Sequence, residues 1–169
     1  MTRRQLEHVI RAAGAIAEVD SLIVVGSQAI LGAYPDAPEE LRASMEVDLY
    51  PAERPDLADV IDGAIGEESL FHEQFGYYAH GVGPETATLP PDWRERAVTI
   101  ANANTRNVKA VCLHPVDLAI SKLIAGRTKD LQFVKSLLKI GMVSRERLLE
   151  VAQTMGVEQA AIVGERLPR

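Results

Sequence analysis

Residues 44–50, Ser-Met-Glu-Val-Asp-Leu-Tyr, alternate without a break. Met45, Val47 and Leu49 fall on one face of an extended chain, and Ser44, Glu46, Asp48 and Tyr50 on the other, which is the two-residue period of a strand. One face is apolar and asks for a core. The other carries two carboxylates side by side. Alternate residues on a strand face lie about 6.5–7 Å apart, from a rise of roughly 3.3 Å per residue. At that spacing like charges repel, but both side chains can lean onto one or two hard cations, which removes the repulsion. Mg²⁺ favours such a set: one or two carboxylates, several waters and the phosphates of a substrate. Two-metal sites hold their ions about 3.5–4 Å apart for in-line displacement at phosphorus. The acidic pair therefore calls for a phosphate-binding element nearby.

Residues 24–30, Val-Val-Gly-Ser-Gln-Ala-Ile, offer one. Residues 21–26 read as a short apolar strand ending at Gly26, and residues 27–34 as a helix opening at Ser27. Gly26 lets the backbone turn tightly, while Ser27 and the free helix N–H groups face a phosphate at the positive end of the dipole. Alone, Gly-Ser before a helix is most often just an N-cap. Followed after residues 28–45 by a strand with Glu-x-Asp, it is far more specific.

The remaining pattern supplies a frame for these two elements. Residues 2–17 place Leu6, Val9, Ile10, Ala13 and Ile16 on one helical face, with Thr2 as N-cap. Residues 35–43 are a loop, and Pro55 opens a helix whose core face is Leu57, Val60, Ile61 and Ile65. Residues 69–82 read as a short helix running into a strand near 76–81. A loop over 83–93 precedes two further strands, 96–101 and 108–113. From His114 the texture changes: residues 114–126, 128–141, 144–156 and 158–167 are helical, the first three closed by glycine. The expectation is an α/β chain: a mixed sheet with flanking helices over residues 1–113, then an all-helical lobe over residues 114–169, with a cleft between them.

Charge is distributed to match. Residues 1–99 hold 7 Lys/Arg against 18 Asp/Glu, whereas residues 100–147 hold 9 against 3. An acidic part able to hold divalent metal is followed by a basic one able to meet phosphates. At a net charge of −6 the chain is too acidic for a general nucleic-acid coat protein. The single cysteine, Cys112, permits no intramolecular disulfide, fits a reducing cytoplasm and reads as core filler. Residues 1–20 show neither a signal peptide nor a membrane span, so a cytoplasmic location without a membrane partner is expected. His8, His72, His80 and His114 lack the paired spacing of a zinc site. Asp117 and Ser121, four apart on a helix, are placed to bond each other, and Trp93, Tyr77 and Tyr78 read as packing aromatics.

Gly26-Ser27-Gln28-Ala29-Ile30 followed by residues 42–50 resembles the DNA polymerase beta-like nucleotidyltransferase superfamily, whose signature is Gly-Ser at a helix start, then two acids alternating on a strand. Within it, Arg42-x-Ser44-x-Glu46-x-Asp48-Leu49 is similar to the AbiEii-like toxin nucleotidyltransferases and related bacterial proteins. Residues 115–138 resemble the same branch, so the likeness covers roughly residues 21–140. The resemblance implies a mixed nucleotidyltransferase-type sheet. Gly26 and Ser27 would hold phosphates, with Arg42, Ser44 and Arg127 as further nucleotide contacts. Glu46 and Asp48 would coordinate Mg²⁺ or Mn²⁺. Lys122 would meet a triphosphate oxygen, and Asp130 would support the site from the next helix, with Lys129 beside it. The implied reaction moves a nucleotidyl group from an NTP to a hydroxyl acceptor, an RNA such as tRNA or a protein, and releases pyrophosphate. The implied setting is a bacterial toxin–antitoxin or defence system, with a cognate antitoxin as partner.

Two positions depart from the family pattern. Glu46 stands where Asp is commoner, and the third acid, on the following strand, is matched by His80. His80 either serves as a base when neutral near pH 7 or marks a degenerate site; Glu85 and Asp92 lie in the next loop. Two other readings stay open: a non-catalytic nucleotide- or partner-binding module, and a nucleotidyltransferase antitoxin that modifies a partner toxin.

Overall fold

The computed structural model describes residues 1–169. Five strands form one mixed sheet: β1 (Ser21–Val24), β2 (Glu46–Pro51), β3 (Tyr78–Gly81), β4 (Val98–Ile100) and β5 (Lys109–Cys112), in the order β3-β2-β1-β5-β4. The β1–β5 and β2–β3 pairs are parallel, and β1–β2 and β4–β5 antiparallel. Helices flank this sheet and make up the C-terminal part, so the α/β expectation holds. No helix is long and apolar enough to cross a membrane.

Local chemistry explains the helices around the sheet. Helix α1 (Arg3–Ala17) begins at a reciprocal cap: Gln5 N–H donates to the Thr2 hydroxyl, and Thr2 N–H to the Gln5 amide oxygen. Its Leu6, Val9, Ile10 and Ala13 are fully buried. Beyond β1, a 3₁₀ turn at Ser27–Ala29 leads into the single turn of α2 (Ile30–Ala33). Helix α3 (Ala58–Ile65) follows a 3₁₀ turn at Pro55–Leu57. Ala58, Ile61 and Ile65 take the core face, and Val60, expected there, is half exposed. Ser69 caps α4 (Leu70–Phe75) by accepting from His72 N–H.

Helix α5 (Trp93–Arg96) starts at the last residue of the expected loop and takes in Arg96, expected to open a strand, and Arg96 fastens it. Its guanidinium donates to Asp92 at 2.6 and 2.8 Å and to Asp117 at 3.0 and 2.6 Å. Asp117 is fully buried in the first turn of α6 (Pro115–Ala125), so it bonds Arg96 rather than Ser121. Next come α7 (Thr128–Ile140), α8 (Arg145–Gln153) and α9 (Val157–Arg166). Gly126 and Gly141 close α6 and α7 at φ 69° and 81°, a conformation glycine adopts without steric cost. Arg166 donates to the carbonyls of Leu123 and Ile124, anchoring α9 to the end of α6.

One hydrophobic core joins sheet and helices, running from Leu22, Ile23, Val47 and Leu49 to Val134, Leu137, Leu148 and Val163. Cys112 is buried within it. Helix α6 packs on α2 and the Ser27–Ala29 turn, and α7 on the turn at Glu39–Leu41, where Ser136 donates to Glu40 at 3.0 Å. These contacts set α6 and α7 beside the β1 and β2 ends that carry Gly26 and Glu46. Replacing Arg96 with Ala strands the Asp117 carboxylate, and chemical denaturation should record a loss of about 3–5 kcal/mol. Adding Asp117→Asn should recover part of it, because the buried charge is then gone.

Candidate functional site

Strand register assembles the acidic side. Glu46 pairs with Tyr78 and Asp48 with His80 across the parallel β2–β3 ladder, so all four side chains share one face. On the other flank, Val25 N–H donates to Asp48 C=O at 3.0 Å, which carries the next residue, Gly26, against the Asp48 side chain. A Cβ at Gly26 would lie 2.0 Å from Asp48 Oδ2 and 2.8 Å from its Cγ. The Gly26 φ of −78° is open to any residue. Glycine is needed here for the space the carboxylate occupies, not for the tight turn expected from the sequence.

The helix expected at Ser27 is only the 3₁₀ turn and α2, too short to build much of a dipole. Gln28, next along, is fully buried with neither amide atom bonded, which nothing in the structure explains.

A cleft of about 420 Å³ lies between this sheet face and α6–α7, within the range of small-molecule sites. It is lined by Gly26, Ser27, Ser44, Glu46, Asp48 and His80 on one side, and by Lys122, Arg127, Lys129, Asp130 and Phe133 on the other. The loop acids Glu85 and Asp92 lie outside, and of the residues that the resemblance places in the site Arg42 alone does. Its guanidinium donates to Ala37 C=O, and its own carbonyl accepts from the N-terminal amine, so it ties down the loop before β2. Ser44 accepts from Glu46 N–H and steadies the strand start.

Charge within the cleft is polarised. His80 Nδ1 lies 2.9 Å from Asp48 Oδ1 and 3.5 Å from Glu46 Oε1, and Tyr78 O–H donates to Glu46 Oε2 at 3.0 Å. Burial, then the proximity of Glu46, pushes the Asp48 carboxyl up to about 6, although His80 pulls the other way. Burial also works upward on Glu46, but hydrogen-bonding influence from the neighbouring Asp48, the Tyr78 bond and the charges of His80 and Lys129 hold it below the usual range. Burial opposes charge on His80, yet its two acidic neighbours raise its pKa. Tyr78, read from the sequence as packing, is pushed up to about 12 by burial and by Glu46. Its two-residue period with His80 is the signal that places it in the site.

Opposite stands a cationic pole. Asp130 is fully buried and accepts from Lys122 Nζ at 3.0 Å and Arg127 Nε at 2.6 Å. Lys122 also lies 4.7 Å over the Phe133 ring, a cation–π contact. Burial pushes the Asp130 carboxyl up, but the bonds from Arg127 and Lys122 outweigh it and its pKa is lowered. The acidic pole offers oxygen and nitrogen donors that lie within 4.8 Å of one another on Glu46, Asp48 and His80, a set that fits a divalent cation.

Two variants probe these contacts. Gly26→Ala should destabilise by about 1–3 kcal/mol through overpacking, with part of the loss recovered in Gly26→Ala/Asp48→Ala; thermal unfolding reads both. Asp130→Asn should cost on the order of 3 kcal/mol, the lower end for a broken buried pair, because Lys122 and Arg127 keep access to water. The folded Asp130 value lies below its ordinary 3.8, so its stability is complete above about pH 4 and lost as pH falls through the folded value. A stability–pH curve should therefore show a shallower acid limb in Asp130→Asn.

Residues 4–163 match the model of a family described as a nucleotidyltransferase of unknown function (DUF6036). No curated protein and no solved structure matches the chain.

Proposed function

Because the chain belongs to this DUF6036 nucleotidyltransferase family, we propose that its cleft moves a nucleotidyl group from an NTP to a hydroxyl acceptor. The observation that carries the reading is the meeting, across one cleft, of the Glu46–Asp48 pair with the cations Lys122, Arg127 and Lys129. The acids suit a divalent ion, and the cations suit a triphosphate.

Each side chain has a definable task. Glu46 and Asp48 hold Mg²⁺ or Mn²⁺, and Gly26 leaves the Asp48 carboxylate its room. When bound, such an ion neutralises charge on the phosphates and orients them. Ser27 donates its hydroxyl to a phosphate oxygen. Lys122 and Arg127 grip the β- and γ-phosphates with the N–H groups that Asp130 does not use, since an ammonium has three donors and a guanidinium five. The acceptor oxygen bonds to the α-phosphorus as the bond from that phosphorus to the bridging oxygen breaks. Pyrophosphate leaves, and the acceptor's proton passes to water in the cleft. Positioning and charge neutralisation supply most of the rate.

For the acceptor, the excess of cations over residues 100–147 favours an RNA such as tRNA over a protein. The Arg42-to-Leu49 motif supports the AbiEii-like branch, and with it a toxin–antitoxin or defence setting and an antitoxin partner. His80 in place of a third acid supports a second reading, nucleotide binding without turnover.

Thermal unfolding with each NTP, with and without divalent metal, tests the first step. A nucleotide at 100 times its Kd should stabilise the wild type by about 2.7 kcal/mol, only with metal, and Asp48→Ala should abolish the shift. An unchanged shift in Asp48→Ala would remove the acidic pair from the nucleotide site.

A further inference from the structure

We propose that His80 is itself a metal ligand, and that with Glu46 and Asp48 it forms a two-carboxylate, one-imidazole site selecting Mn²⁺ over Mg²⁺. This rests on the nucleotidyl-transfer reading of the cleft and deepens it by naming the metal.

Geometry comes first. His80 sits opposite Asp48 in the ladder, and its Nδ1 is the ring atom that faces both carboxylates, at 2.9 and 3.5 Å. Three donors about 2.1 Å from one ion lie roughly 3 to 4.2 Å apart, so a set within 4.8 Å closes on an ion with small side-chain rotations. Glu46 spends Oε2 on the Tyr78 hydroxyl and turns Oε1 toward His80, so it presents one oxygen to the shared point. The imidazole is half exposed at 50%, open to an ion arriving from the cleft.

No other acid joins these three donors within 4.8 Å of one another, and the neighbouring acids are engaged elsewhere. Asp92 is held by Arg96. Asp62 accepts from Gly81 N–H at 3.0 Å. Glu85 is folded over Gly83, and Glu40 accepts from Ser136. The third donor is thus nitrogen.

That changes which ion is preferred. Mg²⁺ is a hard ion that keeps oxygen ligands and dehydrates reluctantly, whereas imidazole suits first-row transition ions. Mn²⁺ takes imidazole nitrogen while remaining content with carboxylates, water and phosphates, so it fits both the protein donors and a triphosphate. With its Nδ1 lone pair on the ion, His80 is not the base of the reaction, in keeping with loss of the acceptor's proton to water.

The test uses Mn²⁺ and Mg²⁺ alone, titrated calorimetrically into the wild type, His80→Asp and His80→Ala. Every site of this kind favours Mn²⁺ to some degree, so the informative quantity is the ratio of the two affinities. In His80→Asp that ratio should fall at least about tenfold, and His80→Ala should lose Mn²⁺ affinity by a similar factor, the low end for removing a group that shapes a metal site. A ratio unchanged in a folded His80→Asp overturns the proposal. Electron spin echo spectroscopy of Mn²⁺ on the wild type needs no variant: modulation from a coordinated imidazole nitrogen is expected. Bound Mn²⁺ without that modulation, or no Mn²⁺ binding at all, also overturns it. Metal-dependent NTP stabilisation that persists while the Mn²⁺/Mg²⁺ ratio is the same in wild type and His80→Asp would remove this proposal while leaving the transfer reading intact.

Discussion

Glu46 and Asp48 share one face of β2, and their mutual repulsion is the constraint around which the cleft is arranged. An apolar neighbourhood would raise its cost, since burial penalises each ionised carboxyl. The structure answers with the Tyr78 hydroxyl on one Glu46 oxygen and the His80 ring between the two acids. Gly26 belongs to the same solution, because any side chain there would occupy the space of the Asp48 carboxylate. The acidic pair is held by Tyr78 and His80 on β3 and given room by Gly26 just beyond β1, and such a fixed arrangement is what a metal site requires.

The cationic pole is the mirror image. A fully buried acid, Asp130, collects Lys122 and Arg127, which otherwise would spread into solvent. A buried pair of this sort contributes little net stability, because desolvation offsets most of the attraction. Its value lies in fixing where two positive side chains begin, across the cleft from the acids they face. The Arg96 clamp on Asp117 fastens the preceding segment to the helix that carries Lys122. Positioning is thus distributed over buried ion pairs, while the groups available to a ligand stay at the cleft surface.

Much of this was legible in the sequence, for physical reasons that also explain the rest. Strict alternation placed Glu46 and Asp48 on one strand face, because strand period and burial depend on local order alone. The change from strand to helix texture near His114 is local in the same sense. Pairing between distant segments is not: nothing in the order of residues set Tyr78 against Glu46, or showed that Asp117 would bond Arg96 in place of Ser121. Val60 was misplaced because it sits about 100° round the helix from Ile61, off the face that Ala58, Ile61 and Ile65 bury. Arg42 has the spacing of a ligand contact, but its guanidinium went to a loop carbonyl instead. Gly26 was identified for the wrong reason, since its φ is ordinary and only the folded structure brings the carboxylate against it.

Nucleotidyl transfer is distinguished from other phosphoryl chemistry by which phosphorus moves. The purified chain, incubated with divalent metal and RNA, would receive in parallel an NTP labelled at the α-phosphate and one labelled at the γ-phosphate. The account requires the α label to appear in the RNA and the γ label in pyrophosphate, with both lost in Asp48→Ala. Transfer of the γ label, or α labelling that survives Asp48→Ala, would contradict it.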